Sequence, residues 1–401
     1  MKLLYVTSTF PYGVGEGFLV SEIAALTRLG NEVAIAPLRR PRRILHADAR
    51  ELRARVEAEP LLSWRVLASA LGEILRRPGT CAGLLLKLLR SRSPRILAKN
   101  LAAFPKGLWL ARRARDLGVE HIHVHWAATT ATLGLVAGGL TGIPWSFTAH
   151  RWDIAEDNLL ALKLRRASYV RAINELGARE LTHRGGDGAQ VPEVVHMGVE
   201  LPPIAAARES EDLVFRILTA AFLLEVKGHA DLVDALALLV ARGHTVEWDV
   251  AGDGPLRGRL LEKVADLGVE ERVHMLGFVP HHELLSGMRN GKWAAVVLPS
   301  IETASGVREG IPASLIEAMA HWIPVVATAT GGIPELLEGD AGLLVPPRDS
   351  VALADALERL IGDEELRQGL ACRGRARVER DFSAGLVAAR LQERFQARVK
   401  A

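Results

Sequence analysis

The sequence contains few cysteines. Only Cys81 and Cys372 occur among 401 residues, and they lie far apart in the chain. They have neither the close spacing of a cysteine-ligated metal site nor the number needed for a disulfide framework. This pattern argues against a disulfide-stabilised secreted domain and favours a protein of a reducing compartment.

The sequence also lacks the long hydrophobic segments that direct a chain into a membrane. Its N-terminus runs directly into a short apolar strand pattern from Leu3 to Thr7, whereas a secretory signal needs a longer apolar core and a cleavage site of small residues. No run approaches the roughly 20 apolar residues of a membrane-spanning helix. We therefore predict a cytoplasmic protein that is soluble or, at most, peripheral at the inner face of a membrane.

The net charge is only +3, but its distribution along the chain is uneven. Between Pro60 and Asp116 twelve lysines and arginines accompany only two acids, Glu73 and Asp116. Leucine and tryptophan are interleaved with these cations: Leu61, Leu62, Trp64, Leu67, Leu84–Leu89 and Leu108–Leu110. Two interpretations are equally favoured, namely contact with an anionic membrane surface and a solvated helical face whose leucines pack on the core. Nucleic acid is less favoured, because no recognised binding module or aromatic stacking platform accompanies the charge.

Short apolar strands alternate with helical patterns through most of the chain, which predicts an α/β fold with parallel sheets covered by helices on both faces. The predicted strands are 3–7, 32–37, 119–126, 144–148, 169–173, 194–196, 215–220, 245–251, 273–277, 294–299 and 325–328. Residues from about 39 to 117 are predicted to be helical without strands. The chain is longer than one hydrophobic core comfortably serves, so two doubly wound domains are expected.

The domain boundaries follow from the proline pair Pro202-Pro203 and from a break in the C-terminal helical pattern near Asp381-Phe382-Ser383. We predict an N-terminal Rossmann-like domain at 1–201 with the basic helical insertion, a C-terminal Rossmann-like domain at 202–382, and a final helix at 383–401 that crosses back to the first domain. The two domains would face a cleft, with ligands at the carboxyl ends of the strands.

The densest chemical signal is a strand–loop–helix junction in the second half. A strand ends at Pro299, and Pro312 precedes a predicted helix from about Ala313 to Ala320. Glu309 lies in the loop, and Glu317 lies a little over one turn into the helix. The backbone N–H groups of Gly310, Ile311 and the first helical turn suit an anion. Two carboxylates on either side of these donors match a ligand that has hydroxyls at both ends and phosphates between them, as a nucleotide-sugar has.

Glu309 and Glu317 form an E-x7-E pattern, and other motifs accompany it in a fixed order along nearly the whole chain. They are the glycine turn at 13–17, HVHWA at 123–127, TAHRWD at 148–153, HMGVE at 196–200, EVKGH at 225–229, AGDGP at 251–255 and GLLVPPRD at 342–349. Together they resemble glycosyltransferase family 4, a family of retaining enzymes with the GT-B fold.

The resemblance implies roles for particular residues. Glu309 would bind hydroxyls of the donor sugar, neighbouring backbone amides its phosphates, and Glu317 the ribose. Lys227 matches the family lysine that neutralises the donor diphosphate, where charge develops as the sugar leaves. The resemblance further implies a UDP-, GDP- or ADP-sugar donor, no divalent metal and no cofactor.

One position departs from the family pattern. The family usually has an arginine five residues before the lysine, whereas this chain has Phe222. An aromatic ring cannot replace a guanidinium at a phosphate. Arg308, next to Glu309, is the candidate for the missing cation; otherwise donor turnover would be weakened.

The first half contributes three further candidates. His150 matches the family histidine that faces the donor sugar near its reactive carbon. Asp153 would bind the acceptor or orient the loop. Gly15 would let the backbone approach the donor phosphates or the acceptor.

Three histidines alternate on one predicted strand and share a face: His121, His123 and His125. Their spacing permits a metal site, but no cysteine or carboxylate cluster accompanies them, and a structural role is favoured.

The sequence thus predicts a retaining hexosyltransferase that moves sugar from a nucleotide-sugar to an acceptor hydroxyl on a sugar, lipid-linked or small molecule. Polysaccharide, glycolipid or glycoconjugate biosynthesis is the expected setting. Two alternatives remain at this stage: a nucleotide-sugar 2-epimerase of the same fold, and a degenerate transferase that serves as a binding or scaffold subunit. Phe222 favours the last alternative, and Lys227, Glu309 and Glu317 oppose it.

Overall fold

The computed structural model describes residues 1–12, 16–40, 52, 54–203 and 214–399. The chain divides into two compact units, Met1–Gly198 together with Ala384–Ala401, and Val199–Ser383. The sequence placed the boundaries at 201 and 382. In the structure Val199 already belongs to the second unit, where its N–H donates to the Phe382 carbonyl oxygen at 2.8 Å.

The first unit is built on a parallel six-stranded sheet. Its strands, in chain order, are β1 Lys2–Thr7, β2 Glu32–Pro37, β3 His121–His125, β4 Trp145–Ala149, β5 Tyr169–Ala172 and β6 Glu193–Val194. Their order across the sheet is β2-β1-β3-β4-β5-β6. Nearly every residue of β1, β3, β4 and β5 is buried, as expected for strands covered on both faces.

The helices of the first unit are α1 Leu19–Arg28, α2 Trp64–Arg76, α3 Pro78–Leu88, α4 Pro94–Asp116, α5 Thr129–Thr141, α6 Arg151–Glu156, α7 Leu160–Arg166, α8 Glu175–Gly185 and, from the C-terminus, α16 Ala384–Val399. Helix α16 packs on α1. Helices α4 and α5 approach closely, because Gly107 lies against Val136 without space for a Cβ atom.

The second unit repeats the architecture with strands β7 Phe215–Ala220, β8 Val246–Ala251, β9 Val273–Gly277, β10 Ala295–Leu298, β11 Val325–Thr328 and β12 Leu343–Val345. All pair in parallel, in the order β12-β11-β10-β7-β8-β9. Its helices are α9 His229–Ala241, α10 Arg257–Asp266, α11 His281–Arg289, α12 Ala313–Ala320, α13 Ile333–Leu336, α14 Ser350–Gly362 and α15 Glu364–Asp381.

The predicted α/β class is confirmed, and the predicted strands are found with small shifts at their ends. The long prediction at 119–126 shrinks to His121–His125, because Val119 and Trp126 lie in the flanking turns. Strand β12 was missed. It is only three residues long, and its Leu343 and Leu344 are not fully buried, so it gives a weak apolar signal.

The basic segment 60–116 forms α2, α3 and α4, and its leucines are divided between the core and the surface. Leu84, Leu88, Leu108 and Leu110 are buried in the core of the first unit. Nine other large apolar side chains of the segment are exposed: Leu62, Trp64, Leu67, Leu71, Ile74, Leu75, Leu86, Leu89 and Leu101. Among the described residues no helix combines the length and hydropathy needed to cross a membrane.

Candidate active site

The second unit brings two predicted residues into direct contact. Lys227 lies in a short turn after β7, and Glu309 lies in the loop between β10 and α12. The Nζ of Lys227 is 2.5 Å from Oε2 of Glu309, and the two side chains are only 18% and 14% exposed. The Ser300 hydroxyl also donates to Oε2, at 3.4 Å. A partly buried ion pair therefore joins the two groups that the resemblance assigns to the diphosphate and the sugar.

The Glu309 loop rests on the second glycine turn. Gly331 has a φ of +59°, and a Cβ atom there would lie 1.9 Å from the Glu309 carbonyl oxygen. The N–H of Gly332 donates to the Gly310 carbonyl at 3.2 Å. The turn thus fixes the position of the Glu309 backbone, and only glycine at position 331 permits so close an approach of the two segments.

Replacing Gly331 with alanine should lower catalytic turnover about a hundredfold, because the new methyl group must push the Glu309 loop out of place. Initial rates of the predicted sugar transfer measure the effect. Gly339→Ala is the matched control, since Gly339 has a φ of +75° but open space around its Cβ position. Equal losses in the two variants would show that left-handed strain, rather than the position of Glu309, decides activity.

The lysine turn is held in a similar way. Gly228 has a φ of +66°, and a Cβ atom would lie 1.8 Å from the Pro299 carbonyl oxygen. The N–H of Ile301 donates to the Val226 carbonyl at 2.9 Å. The segments that carry Lys227 and Glu309 are therefore fastened to each other through their backbones.

Helix α12 begins immediately after the Glu309 loop. Pro312 is its N-cap residue and supplies no side-chain hydrogen bond to the first turn. The first N–H groups of a helix have no intrahelical acceptor, so this end offers donors and a positive dipole to an anion. Gly310 and Ile311 directly precede this turn, as the sequence predicted; the Ile311 side chain is buried, and the Gly310 nitrogen lies 3.3 Å from Oε1 of its neighbour Glu309.

Glu317 is the fifth residue of α12. Its Oε1 lies 2.8 Å from Nε2 of His281, the first residue of α11. The carboxylate is 18% exposed, so it is oriented by the histidine and still accessible. Sequence reasoning missed His281, which belongs to no motif near the E-x7-E pattern.

Phe222, which stands in place of the family arginine, and Arg308, the candidate substitute, both lie at the surface. The ring of Phe222, just beyond β7, is about half exposed. The Nε of Arg308 is 2.8 Å from Oε2 of Glu302, and both side chains are well exposed. The Arg308 guanidinium is therefore paired with the neighbouring acid Glu302 rather than with Glu309.

In the first unit, His150 and Asp153 form one local structure at the start of α6. The N–H of His150 donates to Oδ1 of Asp153 at 2.7 Å, and the N–H of Ala127 donates to Oδ2. Asp153 is almost fully buried. Burial raises the pKa of its carboxyl to about 7, while the backbone donors act in the opposite direction. These contacts tie the loop after β3 to the loop after β4, as a loop-orienting residue does.

The His150 imidazole is held by other aromatic rings. Its Nε2 lies 2.6 Å from Nε2 of His125, and its ring centroid lies 4.2 Å from that of Trp126. Burial lowers the pKa of His150 to about 3, and the nearby Arg171 charge acts in the same direction. His150 is therefore neutral near pH 7, and one of the two facing nitrogens carries the shared hydrogen.

Glu16 holds the segment that follows β1 and was missed from the sequence. Its carboxylate accepts hydrogen bonds from the backbone of Ser8, Thr9 and Phe10 and from the Trp126 indole, at 2.6 to 2.9 Å. An acid within the glycine-rich turn was the signal that the sequence offered. Gly15, which the sequence proposed for the same turn, lies outside the described residues.

The alternating histidines are part of a hydrogen-bonded core. His123 contacts Ser146 Oγ through Nδ1 at 2.8 Å and Thr148 Oγ1 through Nε2 at 2.9 Å. Glu22, His123 and His125 lie close enough to share an ion. However, Tyr5 and Arg171 already occupy the two Glu22 oxygens. A metal would have to displace these partners, so the geometry is that of a structural network.

A cavity of about 420 Å³ opens at the carboxyl ends of β1 and β3. The sheet order makes this a topological switch point, because the chain leaves β1 to one side for β2 and returns on the other for β3. Its polar and aromatic lining includes Thr9, Arg39, Lys99, Trp126, Trp152 and Glu156. The exposed Trp152 indole offers an apolar face of the kind on which sugar rings pack.

Comparison with known proteins places these features in a family. The model of the family "Glycosyl transferases group 1" matches residues 215–363, which include Lys227, Glu309 and Glu317. Over 99% of the chain the sequence is 30% identical to a protein of Escherichia coli K12 named as a colanic acid biosynthesis glycosyltransferase, WcaL, and the match spans 100% of that protein. The chain belongs to the group 1 glycosyltransferases.

Two further relatives of this glycosyltransferase extend the comparison. It is 34% identical over 210 residues to the amylovoran biosynthesis glycosyltransferase AmsK of Erwinia amylovora, covering 52% of this chain and 51% of AmsK. The crystal structure of Anabaena Alr3699/HepE in complex with UDP-glucose matches 99% of the chain and 100% of HepE, with a TM-score of 0.71 at 20% identity. The predicted GT-B fold and the predicted transferase activity are confirmed.

Proposed function

We propose that this glycosyltransferase transfers a sugar from a nucleotide-sugar to an acceptor hydroxyl with retention of the anomeric configuration and without a divalent metal. The observation that supports this most strongly is the Lys227–Glu309 pair beside the uncapped start of α12. It combines a cation, a carboxylate and a set of free amides within one strand–loop–helix junction.

Each group has a separate task in this proposal. Lys227 and the start of α12 hold the donor diphosphate, and they stabilise it most when the sugar–phosphate bond breaks and charge develops on the leaving group. The Glu309 carboxylate accepts hydrogen bonds from sugar hydroxyls, and Glu317, oriented by His281, accepts them from the ribose. Fixed positive groups thus take the place of a metal at the diphosphate.

The donor class is proposed from the same arrangement and from HepE, which binds UDP-glucose in its own crystal structure. A thermal-shift screen of UDP-, GDP-, ADP- and dTDP-sugars, with and without EDTA, tests it. We expect one nucleotide to raise the melting temperature, and EDTA to leave the shift unchanged. A shift that EDTA abolishes would contradict the metal-independent part of the proposal.

Retention is tested on the product. NMR of the product formed from an α-linked donor should show an α-anomeric linkage, because the mechanism that the family resemblance implies has the leaving diphosphate itself assist the incoming hydroxyl. A β-linked product would overturn this part.

The acceptor is proposed to be a saccharide, free or lipid-linked, in polysaccharide biosynthesis. The names of WcaL and AmsK support that setting. The cavity at the β1/β3 switch point, with Trp152 and the Lys99–Glu156 ion pair at 2.5 Å, is a candidate acceptor site within the first unit. Polar groups there would hold hydroxyls while the indole packs on a sugar ring.

Two rival functions give different results with donor alone. A nucleotide-sugar 2-epimerase would convert the donor without an acceptor, and a scaffold subunit would neither bind nor consume it. The thermal-shift screen separates the scaffold subunit, and incubation with the identified donor followed by chromatography of the sugar nucleotides separates the epimerase. An epimerised sugar nucleotide would contradict the transferase proposal.

Arg308 is proposed to supply the positive charge that is missing at position 222, where the family has arginine and this chain has Phe222. To do so its guanidinium must leave Glu302 when the donor binds. Arg308→Ala should raise the donor KM about tenfold or more, as expected for losing a hydrogen bond to a charged group. Glu302→Gln removes the carboxylate that competes for Arg308 and should not raise the donor KM. Unchanged kinetics in Arg308→Ala would show that Lys227 and the helix start suffice.

We also propose that the enzyme makes peripheral contact with a membrane through the basic segment 60–116, where lipid-linked acceptors would reside. Cations of this segment and the exposed apolar residues of its first helices support the proposal.

A further inference from the structure

Helix α2 has an inverted distribution of apolar residues. At 100° per residue, the exposed side chains of Trp64, Leu67, Leu71, Ile74 and Leu75 fall within an arc of about 100°. The side chains on the opposite, buried arc are Val66, Ser69, Ala70 and Glu73. The outward face is therefore more apolar than the face that packs on the protein.

The exposure of this stripe is large. Trp64 is 74% exposed, Leu75 73% and Leu71 58%. Single exposed leucines are common on protein surfaces, but a continuous stripe of one tryptophan and four aliphatic side chains on one helix is a sign of a binding surface. Leu86 and Leu89, near the end of the neighbouring α3, are exposed as well.

The charges around the stripe are positive. Residues 60–92 contain six cations, Arg65, Arg76, Arg77, Lys87, Arg90 and Arg92, and a single acid, Glu73. Glu73 is 1% exposed, and it is shared by Arg76 and Arg115. The exposed charges on α2 itself are therefore the arginines Arg65 and Arg76, of which Arg65 also pairs with Glu59 at 3.2 Å.

From these observations we infer that the outward face of α2 inserts into the interfacial region of an anionic lipid bilayer. This inference rests on the proposed membrane contact and assigns it to one face of one helix. A helix that presents an apolar stripe together with exposed arginines is complementary to lipid chains and to anionic headgroups at the same time. A second copy of this chain is less suited, because two-fold symmetry would bring the same cations of both copies together without exposed acids on α2 to pair with them.

The test compares vesicle binding by the full chain and by two double variants. Leu71→Ser with Leu75→Ser removes the centre of the stripe. Leu261→Ser with Leu267→Ser makes the same chemical change at two leucines of the second unit that are also exposed. Because all four side chains are at the surface, neither variant should unfold the protein, and melting temperatures check this.

Vesicles of phosphatidylcholine with about 30 mol % phosphatidylglycerol should sediment the wild type and the Leu261/Leu267 control. The Leu71/Leu75 variant should partition at least about tenfold more weakly, and vesicles of phosphatidylcholine alone should bind all three weakly. Lipids brominated in the acyl chains should quench the wild-type tryptophan emission, and Trp64→Phe should remove most of that quenching while retaining binding.

Equal binding by the Leu71/Leu75 variant, or quenching that persists in Trp64→Phe, would overturn the inference. A wild type that ignores vesicles but forms a dimer dispersed by Leu71→Ser with Leu75→Ser would assign the stripe to a second copy instead. Neither outcome affects the sugar-transfer proposal, which is tested by donor binding and product formation in the absence of lipid.

Discussion

Replacing Lys227 with methionine is expected to lower the turnover of the nucleotide-sugar about a hundred- to a thousandfold, the range found when one fixed group that stabilises developing charge is removed. Methionine keeps the length of the side chain and removes the ammonium. Its partner Glu309, 2.5 Å away in the wild type, then loses its counter-ion beside the diphosphate. Both changes oppose the negative charge that grows on the leaving group. Steady-state kinetics with the identified donor measure the loss.

A second ion-paired lysine of the same unit provides the control. Lys263 lies 2.6 Å from Asp234, with both side chains about one-third exposed. Lys263→Met should leave turnover unchanged. If it reduced activity as much as Lys227→Met, the effect would come from general electrostatics of the unit, and the assignment of Lys227 to the diphosphate would be wrong.

Binding of the free nucleotide separates the roles of the two partners. Lys227→Met should weaken the binding of UDP, or of whichever nucleotide the screen selects, because the diphosphate loses its cation. Glu309→Gln should retain nucleotide binding and lose turnover, since the proposal assigns Glu309 to the sugar. The opposite result would exchange the two assignments.

The sequence could predict those parts of the site that depend on local order along the chain. Strand ends, the loop of Glu309 and the helix at Ala313–Ala320 follow from apolar runs and from proline before the helix, and the structure places all of them close to the predicted bounds. The meeting of Lys227 and Glu309 could be anticipated only through the motif order, because 82 positions separate them.

Contacts made through backbone shape or through isolated residues could not be predicted in the same way. His281 reaches Glu317 from another helix, and the pair His281-His282 in the sequence carries no signal for that partner. The pairing of Arg308 with Glu302 depends on the path of an exposed loop. The inverted face of α2 is a similar case, because periodicity shows that a helix is amphipathic but not which face turns inward.

The first unit contains a buried ion pair whose loss should have the largest effect on stability. Arg171, on β5, is fully buried and donates to Oε2 of Glu22 at 2.6 Å. Its guanidinium also donates to the backbone oxygens of Val195 and His196, and the other Glu22 oxygen accepts from Tyr5 at 2.8 Å. The Arg171 guanidinium thus joins β5 both to α1 and to the segment after β6, so one side chain connects three elements of the unit.

Arg171→Met should reduce the free energy of unfolding by about 3–5 kcal/mol, because it leaves the Glu22 carboxylate buried without its counter-ion. Urea unfolding followed by circular dichroism measures the change. Adding Glu22→Gln should recover part of the loss, since the neutral amide can still accept from Tyr5 and no unpaired charge remains buried. Arg242→Met, at an arginine on the surface of the second unit, should leave the unfolding midpoint close to that of the wild type. A double variant no more stable than Arg171→Met alone would show that the lost backbone contacts of Val195 and His196, and not the unpaired charge, carry the cost.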